Sequence, residues 1–439
     1  MEKPRVVITG IGVIAPIGIG VENYWNAALS GASGSTLIDH FDPGGLPSRM
    51  AAVVRQEQEL ERLRGWTGAD ADESRVALFA LAAAQMATEA CDWNSHYRGD
   101  RSGVFLGTSG GRLDLRKMAE IAYRSRGHSA ELSRSPGNGR EIAPAGYVKE
   151  YCRSLEAKSV LRLFPQYVTA LVAGSLGVTG SSSTIQTACT SSAQAVGEAF
   201  RAIQRGAVDA AVAGGAECIV SPIEVQLFCL LGALSRRNDQ PARASRPFDA
   251  ERDGFVLGEG AGFLLLERME RALARNAPIL AELAGYGTSC DAYRVTDEAP
   301  DGRGAILAMK RALEDSGLSP EKIDYVNAHG TSTPMNDRVE TLAIKTVFGQ
   351  HAYQMPVSST KSMIGHTISA AGAIELITCV LALRDQMIPP TINYEYPDPE
   401  CDLDYVPNRA RTGKLETVLS NSFGFGGHND CLVVKRFNP

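Results

Sequence analysis

The sequence predicts an α/β fold with helices layered on sheets, and three observations point to it. Short apolar runs alternate with helix-periodic stretches along the whole chain. The 439 residues exceed the ~100–200 of an ordinary domain, so the chain holds two or three domains or one large duplicated fold. The composition is that of a folded protein, 44% hydrophobic and 21% charged, which excludes intrinsic disorder.

The first apolar run, Val6-Val7-Ile8, follows Lys3 and Arg5 and has the outline of a signal peptide. Gly10, Gly12, Pro16, Gly18 and Gly20 interrupt it, and no small-residue cleavage site follows a continuous apolar core. The expectation is a buried strand over residues 5–9 followed by a glycine-rich loop. Further strand-like runs lie at 102–106, 183–187, 209–213, 262–266 and 323–327. Helix-like stretches lie at 74–90, 191–205, 304–315, 337–347 and 370–385. The cleanest break is Ala274-Arg275-Asn276-Ala277-Pro278, after a charged helix expected over 267–274 and ahead of an apolar run from Ile279. Polar stretches at 124–141 and 236–246 read as surface loops that could also cover an entrance. No stretch reaches the ~18–20 uninterrupted apolar residues of a membrane span, so a soluble cytoplasmic protein is expected.

Charge and cysteine usage narrow the function. Lys plus Arg is 44 against 50 Asp plus Glu, a net charge of -6 that argues against nucleic acid as the main ligand. The nine cysteines are odd in number, scattered and without a C-x-x-C pair, which fits reduced thiols and gives a metal site no support.

Two motifs mislead. Gly10-Ile11-Gly12-Val13-Ile14-Ala15 matches a dinucleotide fingerprint, but Pro16, Gly18 and Gly20 deny it the helix that must meet the pyrophosphate. Gly107-Thr108-Ser109-Gly110-Gly111 reads as a G-x-S-x-G elbow after a strand, the setting of a serine hydrolase. The alternative, a glycine turn that lets backbone approach backbone, is the preferred reading.

The strongest signal is Thr187-Ala188-Cys189-Thr190-Ser191-Ser192, between a strand-like run and a helix with Ala193, Val196, Phe200 and Ile203 at helical spacing. Ser191 or Thr190 could cap that helix, whose N-terminus would lower the Cys189 thiol pKa. A nucleophilic cysteine needs a histidine brought close by the fold. Of seven histidines, His329 in Asn327-Ala328-His329-Gly330-Thr331-Ser332-Thr333-Pro334 and His366 in Lys361-Ser362-Met363-Ile364-Gly365-His366 sit in glycine-flanked turns after strands. Near the C-terminus, Asn421-Ser422-Phe423-Gly424-Phe425-Gly426-Gly427-His428 could expose backbone N–H donors for an oxyanion hole, or could be a loop joining two terminal strands.

Together these segments resemble the elongating β-ketoacyl-acyl-carrier-protein synthases of the thiolase superfamily, the type II ketosynthases of fatty-acid and polyketide synthesis. The likeness also runs through residues 6–12, 209–217, 246–249 and 252–262. It implies a thiolase fold, a duplicated α-β-α-β-α five-layer architecture, with residues 1–275 as the half carrying Cys189 and 276–439 as the half carrying the two histidines. It implies that Cys189 takes the acyl chain as a thioester and that His329 and His366 bind and decarboxylate malonyl carrier protein, giving a 3-oxoacyl product two carbons longer.

By the same resemblance Lys361 supports the second histidine electrostatically, with Glu375 as its acidic companion. The N–H groups of Cys189 and Phe425 form the oxyanion hole, the Phe425 ring is a gate, and Thr331 and Thr333 hold the phosphopantetheine arm. No cofactor of the enzyme's own is implied, since phosphopantetheine arrives on the carrier protein. The implied partners are acyl carrier protein and a second subunit, a copy of this chain or a chain-length factor, with neither nucleic acid nor membrane. Arg62, Arg64, Lys158, Arg162, Arg201 and Arg205 are candidates for a basic rim facing an acidic carrier. Three alternatives stay open: a ketosynthase-alpha subunit active only with a chain-length-factor partner, a serine hydrolase using Ser109, and a catalytically silent scaffold that measures chain length for a partner.

Overall fold

A computed structural model describes residues 3–70, 72–89, 91–97, 99–111, 115–125, 144–154 and 157–438; most of the polar stretch at 124–141 lies outside the described residues. Five strands of the N-terminal part form one array: β1 (Val6–Ala15), β2 (Ser102–Gly107), β3 (Ser182–Ile185), β4 (Ala210–Glu217) and β5 (Gly260–Arg268). Five later strands form another: β6 (Ala281–Cys290), β7 (Tyr325–Asn327), β8 (Val357–Ser358), β9 (Thr417–Gly424) and β10 (His428–Lys435). The spatial orders are β3-β2-β4-β5-β1 and β8-β7-β9-β10-β6. In both, the first three strands are parallel and the rest join antiparallel. One five-strand topology is thus used twice. The arrays meet where Val6–Ile8 of β1 pairs with Ala281–Leu283 of β6.

The helices fill three layers. Between the arrays lie α2 (Ser191–Gln204) and α6 (Ala371–Asp385). Val196, Phe200, Ile203, Ile374, Ile377 and Val380 pack there against Leu264 and Leu266 of β5 and Val418 of β9. Outside the first array is α1 (Arg75–Thr88), whose Phe79 joins Phe263 and Leu265 of β5 and Val212 of β4. Outside the second are α4 (Arg303–Ser316) and α5 (Pro334–Phe348), whose Met309 and Ile344 meet Leu419 of β9 and Val433 of β10. Alternate residues of β5 and β9 therefore face different cores, which is why β5 reads as an unbroken apolar run. The result is the duplicated α-β-α-β-α architecture that the resemblance implies.

Three sequence expectations are corrected. The first strand does not stop at residue 9; it runs on to Ala15 with a bulge between Ile8 and Gly10. A Cβ on Gly10 would stand 1.9 Å from the Ala87 carbonyl oxygen, and one on Gly12 2.1 Å from that of Ala83. The glycines let α1 lie on the strand, and no phosphate-binding loop is formed. The charged helix expected at 267–274 begins at Met269, because Glu267 ends in β5, buried, and takes Arg275 at 2.6 Å. Since β1 stands between β5 and β6, the sheet runs across this break. The expected loop at 236–246 is buried at its far end, where the Ser245 hydroxyl donates to the Lys361 carbonyl at 2.7 Å. No helix among the described residues is long and apolar enough to cross a membrane.

Candidate active site

Cys189 sits in a single 3-10 turn, Ala188–Thr190, between β3 and α2. Ala188 has φ 52°, a left-handed conformation costly for a residue with a Cβ, and it turns the chain sharply before the cysteine. Neither Thr190 nor Ser191 caps α2 through its side chain as expected. Instead the Ser191 hydroxyl donates to the Ala188 carbonyl at 2.7 Å and accepts the Thr187 N–H at 2.9 Å, bracing the corner itself.

The two histidines arrive from the second half. His329 follows β7, and its backbone N–H and that of Gly330 each donate to the Glu340 carboxylate at 2.8 Å. His366 ends the turn after the short helix Lys361–Ile364, tied down by its N–H to the Val256 carbonyl at 2.7 Å. The imidazole centroids are 5.4 Å apart and nearly perpendicular, at 82°. The Cys189 sulfur and one nitrogen of each ring lie within 4.8 Å of one another, all three residues buried. They line a cavity of about 250 Å³ with Thr331, Thr333, Phe255 and Phe425.

Hydrogen bonding sets the tautomers. The Lys361 ammonium donates to the His329 carbonyl at 2.6 Å, to His329 Nδ1 at 3.2 Å and to Glu375 Oε1. An ammonium has no lone pair, so His329 Nδ1 accepts and the ring proton is on Nε2. The Ile368 N–H donates to His366 Nδ1 at 3.2 Å, with the same consequence. A metal-bound imidazole instead donates its other N–H to an acceptor. With both Nδ1 atoms facing donors, the pair offers two N–H groups suited to an oxyanion and unsuited to a cation. Lys361 hydrogen-bonds the first histidine, His329, while its charge also reaches the second, His366.

Burial dominates the electrostatics. It holds both imidazoles well below the usual histidine range, with the Lys361 charge acting the same way, so both are neutral near pH 7. Burial also pushes the Cys189 thiol up to about 12, against the pull of the Lys361 ammonium and the Phe425 N–H. The thiol is thus raised where the sequence reading expected it lowered. Burial lifts Glu375 to about 7, which Lys361 partly offsets.

The remaining expected residues fall as follows. The Phe425 N–H points to the Cys189 sulfur, and its ring stacks at 6.5 Å on Phe228 of α3 (Pro222–Leu230). The Phe425 turn joins β9 to β10, and Gly426 and Gly427 have φ 88° and 76°. The Thr331 and Thr333 hydroxyls are 2.9 Å apart on the cavity wall. Ser109 lies outside this cavity and donates its hydroxyl to the buried Glu217. A Cβ on Gly107 would meet the Ser191 carbonyl carbon at 2.4 Å, which supports the glycine-turn reading.

No arginine of the expected rim lines the cavity. Arg62 pairs with Glu59, Arg162 with Asp72 and Glu73, and Arg201 with Asp315. Arg64 donates to the Asp70 carbonyl, and Arg205 closes α2 at the end away from Cys189. The side chain of Lys158 lies outside the described residues. Sequence reasoning missed Glu340, whose only signal was an acid on an apolar helix face. It also missed Glu298, which lines the cavity from a loop.

This duplicated five-layer fold, with a cysteine and two imidazoles at the junction of its halves, is that of a thiolase-fold enzyme. Residues 3–272 match the family model "Beta-ketoacyl synthase, N-terminal domain" and residues 280–395 match "Beta-ketoacyl synthase, C-terminal domain". The chain belongs to the beta-ketoacyl synthase family. It is 41% identical over 438 residues to 3-oxoacyl-[acyl-carrier-protein] synthase 2 of Synechocystis sp., covering 100% of this chain and 99% of that one. It is 41% identical over 432 residues to a putative polyketide beta-ketoacyl synthase 1 of Streptomyces cyaneus, covering 98% and 97%. A solved ketosynthase, described as bound to a hexaketide and in complex with its type II PKS acyl-carrier protein, superposes with TM-score 0.85 at 35% identity over 100% of both chains.

Proposed function

We propose that the protein extends an acyl thioester by decarboxylative Claisen condensation with malonyl carrier protein, releasing a 3-oxoacyl carrier protein two carbons longer. The observation that carries this reading is the buried sulfur facing two imidazoles whose cavity-side nitrogens are both N–H donors. In the loading step the Cys189 sulfur bonds the acyl carbon while the bond to the pantetheine sulfur breaks. The thiol proton passes to the departing sulfur, which suits a cysteine that rests protonated. The N–H groups of Cys189 and Phe425 receive the oxyanion, and the Phe425 ring is the gate to be displaced by the acyl chain.

Malonyl thioester then enters, its arm held by Thr331 and Thr333. The bond between Cα and carboxylate breaks, carbon dioxide leaves, and the electron pair moves onto the thioester oxygen as an enolate. The Nε2–H groups of His329 and His366 stabilise that oxygen, each such donor contributing about 3–4 kcal/mol. The enolate carbon attacks the acyl carbon, the bond to Cys189 breaks, and the thiolate takes up one proton. Lys361 and Glu375 hold the first histidine, and every step uses the chain's own side chains with the two thioesters.

On this reading residues 1–275 act as the half carrying the nucleophile and 276–439 as the half carrying the decarboxylating pair. The partners are acyl carrier protein and a second subunit. Support comes from the carrier-protein complex above and from the solved ishigamide ketosynthase/chain length factor, which superposes with TM-score 0.85 at 34% identity. The open edge of the sheet at β3 suits pairing with another subunit. All nine cysteines are free, in keeping with a reducing cytoplasm.

Intact-protein mass spectrometry after incubation with acyl and malonyl carrier proteins tests the proposal. An adduct on Cys189, a product two carbons longer, and loss of both in Cys189→Ala are expected. An adduct or product that survives Cys189→Ala would sink it, and would return attention to Ser109.

A further inference from the structure

Asp297 and Glu298 are the charged residues among those lining the cavity with Cys189, His329 and His366. Asp297 pairs with Arg294 at 3.1 Å. No ion pair among the described residues includes Glu298. Its charge reaches the reacting sulfur, since an ionised Glu298 disfavours the Cys189 thiolate. The two thioesters of the condensation differ in one respect that matters here. The acyl group to be loaded is uncharged, whereas the malonyl group enters with a free carboxylate.

Resting on the condensation reading above, we propose that Glu298 is a specificity-determining residue for the extender unit. Its carboxyl admits the free carboxylate of a malonyl thioester when protonated and repels it when ionised, and so discriminates malonyl from uncharged acyl thioesters. Burial holds this carboxyl up at about 7, reinforced by Asp291, Asp297 and Asp337 and opposed by its own backbone N–H. Its charge therefore changes between pH 6 and 8, whereas malonate-type carboxylates are ionised throughout that range.

The other charged groups around it are tied down. Asp291 accepts from Asn429 Nδ2 at 2.8 Å and from the Ala299 N–H at 2.9 Å, and Asp337 faces Arg252 at 3.5 Å. Across the cavity both imidazoles are held neutral and Cys189 is held as a thiol. Lys361 stands behind His329, bound to Glu375. Glu340 and Glu375 are also lifted to about 7, so a Glu298 variant is needed to separate their titration from its own.

The test compares wild type with Glu298→Gln at pH 6, 7 and 8. The KM for malonyl carrier protein in condensation is divided by the inhibition constant of acetyl carrier protein competing for the acylated enzyme. In the wild type this ratio should rise about tenfold from pH 6 to 8, the scale of like-charge repulsion in a partly solvated cavity. Glu298→Gln should keep the ratio at its low-pH value, and Glu298→Asp should restore the rise. Superimposable wild-type and Glu298→Gln profiles would overturn the inference and leave the condensation reading standing. A wild type that does not condense at any pH would overturn that reading and this inference with it.

Discussion

Lys361 fixes a tautomer as well as a charge, because all three of its ammonium protons have acceptors inside one buried cluster. Lys361→Met leaves Glu375 buried without a counter-ion, a change that typically costs about 3–5 kcal/mol of stability. Pairing it with Glu375→Leu should recover most of that stability in urea unfolding. Decarboxylation of malonyl carrier protein should stay impaired, since His329 Nδ1 has lost the donor that orders its ring. A double variant that releases carbon dioxide at the wild-type rate would reduce Lys361 to a structural residue.

Cys189 and His366 stand at matched corners of the two halves. Ala188, with φ 52°, stands between β3 and α2, and Ile368, with φ 43°, stands between β8 and α6. The duplicated topology thus places the strained corner of one half, with Cys189, against that of the other, with His366 two residues before it. The seating of α1 on β1 is just as tight, and Gly12 sets it. A Cβ there would stand 2.1 Å from the Ala83 carbonyl oxygen and 2.7 Å from the Met86 Cβ. Gly12→Ala should therefore destabilise the protein by about 1–3 kcal/mol through overpacking, and thermal melting reads the change. An unchanged melting temperature would remove this account of the glycine.

The two halves repeat a topology but share a core. Val196 and Phe200 of α2 pack in the same cluster as Ile377 and Val380 of α6, between strands of both arrays. Neither half can bury its inner face alone, so the whole molecule is expected to unfold in one calorimetric transition. Two resolved transitions would show that the halves are independent units. The shared layer also explains the site, because Cys189 of one half and the imidazoles of the other meet where the middle helices begin.

The layered α/β class was legible in the amino-acid pattern, and so were the candidate residues and their local settings. Periodicity and turn chemistry are local, and the surroundings of Cys189, His329 and His366 are distinctive within a few residues of each. It did not reveal that Gly10 and Gly12 continue a strand, because their reason is a helix more than seventy residues away. A two-residue strand such as β8 has too little pattern to read. Folding brought the Lys361 ammonium onto His329 Nδ1, kept the Cys189 thiol protonated and set Glu298 on the cavity wall. The physical reason is common to all three. Burial and through-space charge set these properties, and they arise only when segments distant in sequence exclude water from one cavity.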